Sequence, residues 1–278
     1  MDSPLEMTFR EQIAEGADTA RQGSREITDG LARVAAYVSA SDRITALTGA
    51  GISTESGIPD YRGPNGVWTK DPAAQRLVDI HWYLADPEVR REAWQERLHH
   101  PVWGATPGPG HRALVELERA GKLRALITQN IDGLHQAAGS SPAMVLELHG
   151  TIHRCRCLEC GYETPMPEQL DRVRAGEQDP PCARCGGIQR SATVAFGQPL
   201  DPDVHRRARD AAATCQLFLA VGTSLRVQPA ARLCALALEA GAQLIIVNAD
   251  PTPYDNVAAA VLRGPIGEVL PAIVPAKG

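Results

Sequence analysis

Five of the chain's seven cysteines fall in two short stretches, "CRCLEC" at 155–160 and "CARC" at 182–185. Cys157 and Cys160 form one C-x2-C pair, Cys182 and Cys185 another, with 21 residues between them. That interval lies just beyond the spacing usual for a four-cysteine zinc module. Two such turns facing each other complete a tetrahedron of thiolates around Zn2+. A closed tetrahedron has no position for water, so the metal is expected to be structural, one per chain, contributing on the order of 10 kcal/mol to folding. Cys155 is then surplus, or replaces Cys157 through a wider C-x4-C loop. A redox C-x-x-C is the competing reading; two matched copies, each followed by glycine (Gly161, Gly186), favour the metal.

A closed site cannot carry catalysis, which moves the search elsewhere. "TGAGIS" brings Gly49, Ala50, Gly51 and Ser53 directly after an apolar run, as a turn through which backbone N–H groups could reach a pyrophosphate. A full G-x-G-x-x-G would need glycine where Thr54 stands, so the motif alone is weak. The Gly/Pro-rich stretch that follows carries Asp60, Tyr61 and Arg62, suited to a loop folding over a cofactor. Among the eight histidines, His149 is the best general base. It follows "MVLEL" at the edge where open α/β sheets bind ligands, and a neutral imidazole can accept a hydroxyl proton near pH 7. His99 and His100 read as part of a polar helix, His135 as structural, and His153 as a surface group near the zinc.

The elements that must hold these groups are legible as six nearly continuous apolar runs: 43–48, 123–128, 144–148, 216–221, 243–247 and 257–262. Strands buried on both faces of a parallel sheet read this way. Helical patterns at 110–120, 202–213 and 229–240 separate them, the last closed by Gly241. The expectation is an α/β fold: a Rossmann-like, doubly wound parallel sheet with a smaller zinc-ribbon module and a helical insertion. The sheet domain takes 1–61, 109–150 and 196–278, with 1–40 as a surface helical extension; 62–108 is the helical insertion and 151–195 the zinc module. All four tryptophans lie in 62–108, either walling a pocket or forming a small core.

Composition narrows the partners. A net charge of −5 and a pI near 5.9 argue against direct nucleic-acid binding or attachment to an anionic membrane. The acidic N-terminal stretch without an apolar segment resembles neither a secretory signal nor a transit peptide, and no apolar run approaches membrane-spanning length. A cytoplasmic protein is expected.

Taken in order, "GAGIS", "GIPDYRGPNGVW", "TQNIDGLH", "LHG", the paired C-x2-C, "GTSLRVQPA" and "VNAD" resemble the sirtuins, the NAD-dependent protein deacylases. The resemblance spans about 43–250 and implies NAD+ as co-substrate, acyl-lysine proteins or peptides as partners, and a cleft between the two domains. It also implies roles. Ser53, Ile58, Asn130 and Asp132 would surround the nicotinamide, with Asn130, Asp132 and His149 forming the catalytic set. Gly49, Ala50, Gly51, Thr54, Asp60, Tyr61, Arg62 and Gln129 would contact the phosphates and nicotinamide ribose. Gly222, Thr223 and Ser224 would add donors, and Asn248 with Asp250 the adenosine end. Locally, Asp132 can equally be a turn cap before Gly133, and "GTS" an ordinary turn.

Two segments would sandwich an extended substrate peptide: "TVAFGQPL", with Val194, Phe196 and Gly197, and "RVQPA", with Val227. The family commonly has F-G-E where this chain has Gln198. Sirtuins preferring acidic acyl groups share a Tyr-x-x-Arg pair; here the place reads "WQER", Trp94 to Arg97, and the absent hydroxyl counts against succinyl or malonyl specificity. Arg97 is expected as a solvated helix-surface arginine, with carboxylate pairing as its other role. Deacetylation is therefore the first expectation, and mono-ADP-ribosyl transfer or an NAD-sensing scaffold the alternatives.

Overall fold

A computed structural model describes residues 30–274. Its strands are β1 (Ile44–Thr48), β2 (Leu123–Thr128), β3 (Val145–Glu147), β4 (Gly150–Cys157), β5 (Glu163–Pro165), β6 (Gln189–Thr193), β7 (Leu217–Val221), β8 (Gln243–Val247) and β9 (Ala260–Leu262). Six of them form a parallel sheet in the order β3-β2-β1-β7-β8-β9. Side chains alternate across it with the period of two that a pleated strand imposes. Leu217, Leu219 and Val221 enter one core, with Ile44, Ala46, Leu114 and Leu270, while Phe218 and Ala220 enter the other, with Leu47, Ala212 and Leu233. Helices Pro109–Arg119 and Ile266–Ile273 cover the first face, and Pro202–Thr214 and Arg232–Glu239 the second. This is the doubly wound arrangement that the apolar runs required.

The differences are local. Residues 30–40 are helical, with Val34 and Val38 fully buried in the first core, so this part of the expected surface extension is a packed core helix; residues 1–29 lie outside the description. The last strand is shorter than its apolar run. A turn held by Thr252 Oγ1 donating to Asp255 Oδ1 at 2.7 Å precedes it, and a 3-10 segment, Asp255–Val257, occupies its expected start. Such hydroxyl–carboxylate turns compete with strand pairing.

Between 62 and 108 the chain makes short helices, three of them started by an aspartate. Asp71, Asp79 and Asp86 accept backbone N–H bonds at the N-termini of Pro72–Val78, Ile80–Ala85 and Pro87–Leu98. The four indoles do not share a pocket wall. Trp68 lines the cleft, Trp82 is 57% exposed, and Trp94 is fully buried against Cys155, Met166, Leu170 and Val173. Trp103 donates Nε1–H to the Arg97 carbonyl.

The other sheet, β5-β4-β6, is antiparallel and carries the cysteine-rich segment. Asp179, in the loop before Cys182, joins it to the helices: its carboxylate accepts Arg90 Nε at 2.6 Å and Trp94 Nε1 at 3.3 Å.

Candidate active site and zinc centre

The sheet order reverses between β1 and β7, and the loops leaving these two strands meet at the carboxyl edge. Gly51 N–H donates to the Gly222 carbonyl at 2.9 Å. A Cβ on Gly49 or Gly51 would stand 2.8 Å from atoms of residues 222–223, and Gly222 has φ of 60°. The glycines are thus required by the contact of one loop with the other, a constraint that the pyrophosphate reading of "TGAGIS" did not contain. The turn leads straight into a 3-10 helix, Ala50–Ser56, which buries Ile52 and Ser53.

A cleft of 1440 Å³ opens from this contact. Gly49, Ala50, Gly51, Ser53, Thr54, Ile58, Asp60, Tyr61, Arg62, Gln129, Asn130, Asp132 and His149 line it, with Gly222, Thr223, Ser224, Asn248 and Asp250. Val194, Phe196, Gly197, Val227 and Arg97 line it too. Of the residues expected there only Trp94 is absent, being turned wholly into the core beneath Arg97. Arg97 is 6% exposed, which overturns its reading as a solvated surface group. Tyr83, rather than a residue three positions before, brings a hydroxyl to it, at 3.4 Å.

Ser53 Oγ donates to Asp132 Oδ2 at 2.7 Å and receives Asn130 Nδ2 at 3.1 Å. The other Asn130 amide hydrogen goes to the Gly49 carbonyl. Asp132 Oδ1 accepts Leu134 N–H at 3.0 Å, so the carboxylate caps the turn at Gly133 and orders Ser53 at once. His111 completes the group, and no motif in the sequence singled it out. Gly108 N–H donates to its Nδ1 at 3.1 Å, so the proton sits on Nε2, which faces Ser53 Oγ at 3.4 Å. Burial, the main cause, drives its pKa down to about 4. The only hint was a histidine in the first turn of an apolar helix.

His135 lies behind, structural as expected. Thr48 Oγ1 donates to Thr128 Oγ1, so His135 Nε2–H donates to Thr48, and burial takes the ring to about 3. Thr128 Oγ1 in turn receives the Asn130 N–H at 3.0 Å. His153 is not at the cysteine cluster; its Nε2–H donates to the Asp132 carbonyl at 2.8 Å. His100 also departs from its reading: it caps the 3-10 turn Pro101–Gly104 and lines the cleft.

His149 is held by one bond, Nδ1–H to the Gln129 carbonyl at 2.9 Å. A carbonyl can only accept, so Nε2 keeps its lone pair. Burial lowers the His149 pKa, with the Gln129 bond opposing it more weakly. Gln129 itself donates Nε2–H to Thr223 Oγ1 at 2.9 Å, linking the β2 and β7 loops. Asp60 shapes the loop above: its Oδ1 accepts Gly63 N–H at 2.8 Å, and its carbonyl accepts Val67 N–H. On that loop Trp68 stacks with Tyr61 at 4.6 Å and Phe196 at 5.5 Å, with the Arg62 guanidinium 4.5 Å above its ring.

Away from the cleft, Sγ atoms of Cys157, Cys160, Cys182 and Cys185 lie within 4.8 Å of one another. The cross-pairs Cys157–Cys185 and Cys160–Cys182 are 3.5 and 3.8 Å apart. Four thiolates at a Zn–S distance of about 2.3 Å in a tetrahedron stand about 3.8 Å apart, so the set fits zinc. Each knuckle closes alike, Gly161 N–H to the Cys157 carbonyl and Gly186 N–H to that of Cys182, both glycines at positive φ. Cys155 is outside the cluster, buried under Trp94.

The model of the Sir2 family matches residues 49–229. The chain belongs to the Sir2 family. It is 52% identical to NAD-dependent protein deacetylase 2 of Streptomyces coelicolor, over 84% of this chain and 98% of that protein. It is 44% identical to NAD-dependent protein deacetylase 1 of Pyrobaculum aerophilum, over 89% and 94%. Among solved Sir2 structures, a variant with a deacetylated p53 peptide and 3′-O-acetyl-ADP-ribose superposes with a TM-score of 0.82. That pair shares 34% identity and covers 87% of this chain and 96% of the other.

Proposed function

We infer that this Sir2 protein is an NAD-dependent protein-lysine deacylase, with acetyl-lysine the first substrate. One observation carries the reading: His149 presents an unprotonated Nε2 in a cleft that also contains the glycine turn of β1 and the Val194–Gly197 segment. NAD+ supplies a glycosidic bond whose cleavage releases nicotinamide and leaves ADP-ribose to accept the acyl group, one water being consumed as the lysine amine is freed. The chain's own groups bind, orient and move a proton.

Asn130 and Asp132, fixed through Ser53, hold the carboxamide of nicotinamide; the Asn130 Oδ1, unused among the described residues, is an acceptor for its NH2. Ile58 and the loop of Asp60, Tyr61 and Arg62 keep water from the ribose. His149 takes the proton of a ribose hydroxyl, a step worth roughly 10²–10⁴ in rate. Thr223, Ser224 and Asn248 hold the nucleotide. An extended peptide adds as a strand between Val194–Gly197 and Val227.

This use of the molecule divides it as 1–61, 109–150 and 196–278 for NAD+, with 62–108 and 151–195 forming the opposite wall. Among the described residues no helix is long and apolar enough to cross a membrane. Cysteines held as thiols and metal ligands suit a reducing compartment, and we place the activity in the cytoplasm.

The test is incubation with NAD+ and acetyl-lysine peptides, followed by mass spectrometry. Free lysine peptide, nicotinamide and O-acetyl-ADP-ribose in equal amounts are expected. ADP-ribose attached to protein, with the acetyl group retained, would replace the reading with ADP-ribosyl transfer.

A further inference from the structure

The final apolar run, 257–262, is strand only over Ala260–Leu262, and the turn that displaces its start grips one end of the cleft. Because Val247 of β8 pairs with Leu262 of β9, the residues that follow them, Asn248 and Arg263, stand side by side at the carboxyl edge. Arg263 Nη1 donates to the Asn248 carbonyl at 2.7 Å, and Nη2 donates to Asp255 Oδ2. Asp255 is itself held, its Oδ1 accepting Thr252 Oγ1–H at 2.7 Å from a buried threonine. One planar fork thus bridges the carbonyl that opens the β8 loop and a carboxylate at that loop's far side.

Between these anchors Asn248, Ala249, Asp250 and Pro251 line the cleft, while the Arg263 side chain stays outside it. Asn248 Nδ2 donates to the Asp250 carbonyl at 2.8 Å, and its Oδ1 accepts no hydrogen bond among the described residues. Stability alone accounts poorly for the arrangement. The Arg263 and Asp255 side chains are 37% and 22% exposed, and an ion pair so open to water adds little to folding. What the fork supplies is position. A guanidinium has fixed donor directions, so holding a carboxylate on one prong fixes where the carbonyl on the other must lie. The Asn248 side chain springs from the residue placed in this way. A loop ordered in advance spares the ligand the cost of ordering it.

We propose that Arg263, braced by Asp255, is a positioning residue for the adenosine half of NAD+, acting through Asn248. The proposal rests on the deacylase reading, which puts that half of the nucleotide at the β8 loop. It also accounts for the shortened strand: the turn that replaces strand residues puts Asp255 where it can aim the arginine.

The experiment pairs calorimetric titration of NAD+ with turnover of an acetyl-lysine peptide at saturating NAD+. Arg263→Ala should raise the Kd for NAD+ about tenfold, the scale of one lost charge-assisted hydrogen bond. It should leave kcat within about twofold, since no group near the reacting bond moves. Asp255→Asn keeps an acceptor for Thr252 and removes the charge that aims Arg263. It should raise Kd in the same direction with a urea midpoint close to that of the wild type, which guards against misfolding of the first variant. In an Asn248→Ala background, Arg263→Ala should add less than about twofold, because the side chain it places is gone. A Kd unmoved by both single substitutions would overturn the proposal and leave the deacylase reading intact. So would a fall in kcat as large as the rise in Kd, or a tenfold effect that persists without the Asn248 side chain. Wild-type protein that binds no NAD+ would remove the underlying reading and the proposal with it.

Discussion

Ser53 donates to Asp132 across 79 residues of sequence, at 2.7 Å, while taking donors from Asn130 and His111. Because Gly108 N–H occupies His111 Nδ1, every proton in this group has one direction, ending on the carboxylate. Asp132→Asn breaks that order, since an amide cannot accept from both Ser53 and Leu134 without turning an NH2 toward one of them. Nicotinamide release should fall about 10²-fold, the usual scale for a lost polar contact at a reacting centre. Single-turnover release of nicotinamide, with circular dichroism as the check on folding, measures it.

His149 works as a base only when neutral, and its pKa lies below the ordinary 6.5 because the ring is buried. The acidic limb of kcat/KM against pH should therefore have its midpoint below 6.5, activity rising as pH increases through it. His149→Ala should remove that limb and cost roughly 10²–10⁴ in turnover. Calorimetric titration should still detect NAD+ binding.

His135 and His111 titrate near 3 and 4 in the folded protein and near 6.5 in a free chain. Between those values the unfolded state binds more protons, so stability falls as pH drops from about 6.5 toward 4. Urea unfolding across this window should show the loss. His135→Gln, which has nothing to protonate, should flatten the slope.

The cysteine cluster predicts about one zinc per chain by elemental analysis. Cys182→Ser, or prolonged chelation, should lower the melting temperature and release the metal. Identical melting of zinc-loaded and zinc-free protein would show that the cluster does not brace the fold.

Gly222→Ala tests the loop contact. The residue sits at φ of 60°, and a Cβ there would meet Ile52 N at 2.5 Å. Left-handed backbone alone costs about 1–2 kcal/mol in an L-residue, and the clash adds to it. Denaturant midpoints should fall, and NAD+ affinity with them, since the loop after β1 must shift.

The parallel strands were legible because burial on both faces leaves unbroken apolar runs, as in "QLFLAV" and "QLIIV", and the paired C-x2-C because metal geometry restricts spacing. The loop motifs were legible by resemblance. What escaped depended on residues distant in sequence. His111 gains its meaning from Ser53, 58 positions earlier, and from a tautomer set by Gly108. Arg97 looks like one charge on a polar helix until Tyr83, Trp94 and Arg190 close around it. Gly49 and Gly51 carry the expected conformational freedom for an unexpected neighbour, Gly222.

Asp179 grips Arg90 and Trp94 from a loop that reaches the metal ligand Cys182 three positions later. Trp94 in turn supports the Arg97 guanidinium, 5.1 Å from its ring. Metal retention and the placement of the Arg97 side chain in the cleft wall therefore belong to one mechanical unit: an oxidant that strips the exposed thiols Cys160 and Cys185 would slacken that wall before it touched His149 or Asp132.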